Sequence, residues 1–221
     1  MRNPDEPGES MIDLGKATIL GEGNLRRTYV HPDDPRLLLK VQVRSFNTKK
    51  HWYDRPLKVA SSNERELLGW AEVVSGLGRH EPFLTRVLGL ENTSEGPALL
   101  VENAAADATA TISLNKIHKL DQKEIQFSVD EIRWARDEFL RVFAMFHKRR
   151  IVNHCMRFES VLLCRMAGGL ALKLIDYKTM VYRHLISPRL LPGATLRLQR
   201  ETQVSMVKRL NQAISRFESD H

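Results

Sequence analysis

A stripe of apolar side chains constrains this sequence more than any other feature: from Val129 onward, Ile132, Ala135, Phe139, Val142, Phe143 and Phe146 recur at steps of three and four. That period sets them on one face of an α-helix, and a face of this size has to be covered by the rest of the chain. The fold therefore contains a helix packed by one side against a core. At 221 residues, 42% of them hydrophobic, the chain can bury one substantial core or two small lobes sharing a cleft, and is too short for two large independent domains. Lys148, Arg149 and Arg150 follow the stripe, where positive charge complements a helix C-terminus.

Upstream, the signals are those of strands. Residues 12–20 suit an extended segment, Gly21-Glu22-Gly23-Asn24 a glycine turn, and Arg27-Thr28-Tyr29-Val30 the return strand of a hairpin. His31-Pro32-Asp33-Asp34-Pro35 favours a tight turn, and Leu37-Leu38-Leu39-Lys40-Val41 a third strand. Residues 45–59 are polar and basic around Trp52 and Tyr53, which suits a loop or insertion. Ser61 or Ser62 is a candidate N-cap for a helix carrying Glu64 and Glu66 in its first turns and Leu67, Leu68, Ala71, Val74 and Leu77 at helical spacing, stopped by Gly76 and Gly78. Two more strands, 83–90 and 97–101, are joined by a polar turn over 92–96. The first half is thus strand-rich with one helix.

After Glu102 and Asn103 the chain is alanine-rich, then polar, until the long helix begins. Ile151-Val152 and Val161-Leu162-Leu163 flank a polar loop; Ala167-Gly168-Gly169 is a turn, and a buried strand over 170–175 runs straight into Asp176-Tyr177-Lys178. Pro188 and Pro192 should break any long element, leaving a last helix over 203–217 with Val204, Val207, Leu210, Ile214 and Phe217 inward. Residues 1–10, with no apolar residue after Met1, form a tail. The expected class is α+β, divided into the tail, a β-rich region over 11–102 and a mostly helical region over 103–221.

Composition narrows the setting. No run of eighteen apolar residues occurs and the start lacks a basic-then-apolar layout, so a cytoplasmic protein without a membrane span is expected. Cys155 and Cys164 match neither a zinc spacing nor a CxxC motif, which suits a reducing compartment without a structural disulfide. A net charge of +7 favours acidic partners such as nucleotides, RNA or anionic lipid. Arg189, Arg197, Arg200, Lys208 and Arg209 would serve as one nucleic-acid-binding patch, although a solvated basic face explains them equally well.

Taken singly, the polar residues of the strands have bland explanations. A glycine pair between strands is ordinarily a hairpin turn, a strand lysine snorkels to water, Glu66 can sit on a surface, and an aspartate after a strand can cap a turn. Their order carries more: glycine turn, lysine in the third strand, glutamate in the next helix, two strands, long helix, polar loop, hairpin, aspartate. In that order the chain resembles the protein-kinase-like superfamily. The resemblance implies a two-lobed fold, with a small β-rich N-lobe holding one helix and a mostly helical C-lobe. It implies ATP and Mg2+ as cofactors, with Gly21 and Gly23 over the phosphates, Lys40 holding them and paired with Glu66, Glu102 and Asn103 in the nucleotide-binding set, and Asp176 on the metal. Arg26 stands where the family has a third glycine, either reaching toward phosphate or pointing to solvent.

The catalytic loop departs from that pattern. Ile151-Val152-Asn153-His154-Cys155-Met156-Arg157-Phe158-Glu159-Ser160 keeps the flanking apolar residues of the kinase loop but has Cys155 in place of the aspartate base and Ser160 in place of the second metal residue. Arg157 keeps the positive charge of the family's lysine. A thiol of ordinary pKa near about 8.5 is a poor base at neutral pH. Over residues 11–180 the sequence is similar to the bacterial YrbL family, the PhoP regulatory network proteins, in its Tyr29 to Asp34 turn and in Arg65-Glu66-Leu67. That similarity implies a nucleotide-binding pseudokinase or regulator that acts through an unidentified protein partner. The alternatives are an atypical phosphotransferase using His154 as base, on a protein or small hydroxylated substrate, and a basic non-enzymatic module that binds RNA or an anionic surface.

Overall fold

The computed structural model describes residues 11–23, 25–43, 61–117, 119, 124–151, 158–177 and 192–219. Its first sheet has five antiparallel strands in the order β1-β2-β3-β5-β4: β1 (Ile19–Glu22), β2 (Arg26–Val30), β3 (Leu37–Gln42), β4 (Val87–Thr93) and β5 (Gly96–Glu102). The period-two alternation of β3 divides its side chains between two faces. Leu39 and Val41 join Tyr29, Ala98 and Leu14 in a buried cluster bordered by Ile12, Ala17 and Leu100. Lys40 takes the opposite face, with Thr28 and Leu99 as its cross-strand partners.

Both ends of β1 and of β4 differ from expectation. Residues 12–18 do not form the first strand: Ile12 makes an isolated bridge to Thr93 and Leu14 drops into the core, its amide held by Ser94 Oγ at 3.0 Å. The strand starts at Ile19, so Gly21 and Glu22 lie inside β1, beside a β-bulge, and not in the turn. Asn24 lies outside the described residues. The segment 83–86 precedes β4 and Asn92 and Thr93 close it, because Thr93 Oγ1 donates to the Gly96 carbonyl at 2.6 Å and tightens the hairpin at Ser94 and Glu95.

The chain divides into two units, the first drawn from Met1–Asn63 and Arg86–Asn103, the second from Glu64–Thr85 and Ala104–His221. In the second unit, α1 (Ser62–Leu77, from Glu64 onward) turns Glu66, Gly69, Val73 and Leu77 inward. The expected face was one step off. Leu68 and Ala71 are exposed, since a helix entered by polar Ser62 and Asn63 on its buried side carries that side on through Glu66. A short helix α2 (Leu114–Ile117) then precedes α3 (Val129–Lys148).

All six residues of the apolar stripe on α3 are buried, with Phe139 and Phe143 edge to face at 4.7 Å. Its start is a complete capping box: Ser128 Oγ accepts from the Glu131 amide and the Glu131 carboxylate accepts from the Ser128 amide. That carboxylate also pairs with Arg165 at 2.6 Å, which holds it below the usual range for a glutamate. At the other end Arg149 donates to the Leu77 carbonyl at 2.8 Å, so this member of the basic cluster caps α1.

A three-stranded sheet, β6 (Ala110–Ser113), β7 (Val161–Met166) and β8 (Gly169–Leu174), adds its buried apolar side chains to the core of this unit. Strand β6 carries no strong sequence signal and exists by pairing with β7 across more than fifty residues. The last helix, α4 (Pro192–Ser219), overturns the reading of Pro192 as a breaker: proline is its first residue, where the missing N–H would have no helical partner anyway. Met206, Leu210, Ala213, Ile214 and Phe217 are its buried residues, whereas Val204 is 61% exposed. Pro188 lies outside the described residues. No described helix is long and apolar enough to cross a membrane.

Candidate functional site

In the first unit the expected phosphate-holding residues lie on β1 to β3. Gly21 and Gly23 are exposed; a Cβ built on Gly21 meets nothing within 4 Å, and one on Gly23 only the Arg26 carbonyl at 3.6 Å. Neither has the positive φ that would demand glycine, so backbone conformation does not account for either. Glu22 between them is taken up by Arg27 at 3.3 Å. Lys40 is half-buried in mid-strand.

Arg26 does not point to solvent. It is 9% exposed, and its guanidinium donates to Asn63 Oδ1 at 3.4 Å. Asn63 Nδ2 in turn donates to the Lys40 carbonyl at 3.0 Å and the Pro97 carbonyl at 3.2 Å. One buried amide thus ties β2, β3 and β5 together behind Lys40. The Ser62 amide adds a bond to Gln42 Oε1 at 3.1 Å.

Glu102 and Asn103 are anchored to the same sheet. The Glu102 carboxylate accepts from the Arg86 amide at 3.0 Å, and Asn103 Nδ2 donates to the Pro35 carbonyl at 2.9 Å. Their own amides are bound to the carbonyls of Arg86 and Arg36.

In the second unit Glu66 is fully buried on α1, which removes the surface alternative for this residue. Ser160 closes a single 3₁₀ turn (Phe158–Ser160) at the start of β7 and is itself buried. The β7–β8 register pairs Val161 with Leu174, and one step further out the Ile175 amide donates to the Ser160 carbonyl at 2.9 Å. Asp176, half-buried, is the next residue. Ser160 is thereby bonded to the residue that precedes Asp176, at the open end of this hairpin. His154, Cys155 and Arg157 lie outside the described residues, as does Lys178.

Tyr177 follows Asp176 and is 1% exposed. Its hydroxyl lies 2.8 Å from the Leu174 carbonyl and 2.9 Å from the Thr85 carbonyl. Among the described residues no group of three or more His, Cys, Asp and Glu side chains gathers as a metal cage. A magnesium ion that accompanies phosphates needs only one or two carboxylates, the rest of its shell being water and phosphate oxygen. The half-buried Asp176 carboxylate by itself would meet that modest requirement.

Cys164, by contrast, is a free thiol sealed in β7. Its Sγ is 3.7 Å from the Ala104 carbonyl, and burial pushes its pKa upward, away from reactivity. The supposed basic patch on α4 is not uniform either: Arg197 pairs with Glu201 at 3.0 Å, and Arg189 lies outside the described residues. Arg209 sits about 120° around the helix from Arg197, while Arg200 and Lys208 lie within about 60° of it.

The family model described as PhoP regulatory network protein YrbL matches residues 12–180. The chain belongs to this family. A comparison with curated proteins gives no match. The YrbL match spans the first sheet, α1 to α3 and the β6–β8 sheet, and it ends just beyond Asp176 and Tyr177, so α4 lies outside it. The N-terminal region of this YrbL family member is sheet-rich and its helices come later, an α+β arrangement.

Sequence reasoning missed Asn63 and Thr85. Each is a small polar residue that is no more than 3% exposed. The one signal for Asn63 was its place in the first turn of a helix, on the side that turned out to be buried. For Thr85 there was none, since its partners Leu174 and Tyr177 are about ninety residues away.

Proposed function

We propose that this member of the YrbL family is a nucleotide-binding, kinase-like regulator whose phosphate-holding residues are kept and whose phosphoryl-transfer residues are lost. The observation that supports the reading is the Ile175 to Ser160 backbone bond of 2.9 Å, which ties the residue before Asp176 to Ser160, the residue aligned with the second-metal position. In a kinase-like chain those two places hold the metal that accompanies the nucleotide. Here one is a carboxylate and the other a hydroxyl, so one strong metal ligand remains. Bound Mg2+ would neutralise phosphate charge there. Lys40, with its backbone fixed through Asn63, supplies the cation for the phosphates, and the glycines at 21 and 23 leave the backbone of β1 open to close approach.

With Cys155 at the base position, activation of a hydroxyl acceptor lacks its carboxylate. Binding without turnover is the consistent outcome, with the protein surface presenting the bound state to a partner. The test is thermal unfolding with and without Mg·ATP. Ligand at a hundred times its Kd adds about 2.7 kcal/mol to stability, and Lys40→Met or Asp176→Asn should abolish the gain. No shift at any nucleotide concentration sinks the nucleotide reading. Transfer of labelled phosphate, to itself or to a hydroxylated compound, would instead make the chain an atypical phosphotransferase.

A further inference from the structure

Asp176 is held from both sides. On one side the Ile175 amide is bound to Ser160; on the other, Tyr177 is buried among groups that hydrogen-bond its hydroxyl. The Leu174 carbonyl accepts from the Thr85 amide at 3.2 Å and from Thr85 Oγ1 at 2.8 Å, and it is also within 2.8 Å of the Tyr177 hydroxyl. Thr85 Oγ1 is itself 3.3 Å from that hydroxyl. The Leu174 amide donates to the Phe83 carbonyl at 2.7 Å, so residues 83–85 run alongside the end of β8 as an added parallel edge.

A phenylalanine here would be held by packing alone. The tyrosine adds a directional anchor: its single proton is shared between two carbonyl oxygens, and leaving either hydroxyl or carbonyl unmet in a buried place is costly. We infer that Tyr177 and Thr85 form a hydroxyl latch that fixes the Asp176 carboxylate in one setting, making Tyr177 a positioning residue for the metal carried with the nucleotide. This deepens the nucleotide reading and rests on it for the metal, while the latch itself is a property of the free protein.

Two variants, Tyr177→Phe and Thr85→Val, remove one hydroxyl each and keep the shape. In calorimetric titration with ATP, the affinity gained on going from EDTA to Mg2+ should fall by between about twofold and tenfold in each, the range of one lost hydrogen bond. Affinity in EDTA should be unchanged, which separates positioning from general damage. An unaltered Mg2+ gain in both variants overturns the proposal. Hydrogen exchange on the free protein gives an independent arm: the amides of Thr85 and Leu174 should lose protection in Tyr177→Phe while those of 139–146 in α3 keep theirs. Unchanged protection at 85 and 174, or equal loss throughout α3, overturns the latch. Should wild-type protein bind no nucleotide, the functional reading fails and the exchange arm alone decides the latch.

Discussion

Arg26 lies against Asn63, its guanidinium 3.4 Å from the amide oxygen, at the position where a kinase-like chain would carry a phosphate-loop glycine. That arginine helps tie the strands together through Asn63. Asn63 spends both of its amide protons on the carbonyls of Lys40 and Pro97.

Replacing Asn63 by alanine removes its bonds to the Arg26 guanidinium and to the Lys40 and Pro97 carbonyls at once, and each buried hydrogen bond lost costs on the order of 1 kcal/mol. Asn63→Ala should therefore lower the urea midpoint clearly. Asn63→Asp keeps the acceptor for Arg26 but loses both donors, so it too should fall below wild type. Wild-type stability in Asn63→Asp would show that the strand-tying bonds contribute nothing.

Glu131 supplies a pH test. Its pKa is depressed chiefly by the Arg165 hydrogen bonds, so the native state binds this proton less readily than the unfolded chain. The contribution is complete above the ordinary glutamate pKa of 4.5 and is lost as pH falls below it toward the lowered native value. Both partners are partly in water, which keeps the effect at the scale of a screened surface pair. Glutamine retains the capping box, so Glu131→Gln should be modestly less stable at pH 7, with the gap to wild type shrinking as the pH is lowered below 4.5 in denaturation curves. A gap that persists at acid pH would assign the loss to packing.

Gly76 reverses a common rule. Alanine usually stabilises a helix position by about 0.5–1 kcal/mol over glycine, yet a Cβ here would lie 2.7 Å from Cγ1 of buried Ile151. Gly76→Ala should destabilise by about 1–3 kcal/mol. Adding Ile151→Ala should cost less than the two single losses combined, because the second change removes the clashing atoms. A double-mutant cycle measures this directly.

The face of α4 is testable by contrast. Leu210 is fully buried and Val204 mostly exposed, although both fit the same apolar pattern. Leu210→Ala should cost about 2–5 kcal/mol, and Val204→Glu should stay within about 0.5 kcal/mol of wild type. Equal losses would place the buried face of this helix elsewhere.

What the amino-acid sequence determined by itself is what local period can carry. The stripe on α3 was legible residue by residue, because six side chains spaced at three and four admit one conformation and demand one covered face. The alternation of β3, the turn at residues 167–168 and the order of elements were legible for the same reason, and that order with its motifs was enough to place the chain in the YrbL family. Local pattern failed where the deciding partner is remote. It did not show the inward turn of Arg26, the existence of β6, the helix that begins at Pro192 or the face α1 buries. Ser160 comes to bond the residue before Asp176 only when β7 and β8 pair in one register, and Tyr177 finds Thr85 only across ninety residues of chain. A hydrogen bond is satisfied by whatever group the completed fold brings within reach, so its partner is a property of tertiary structure and leaves no period in the sequence.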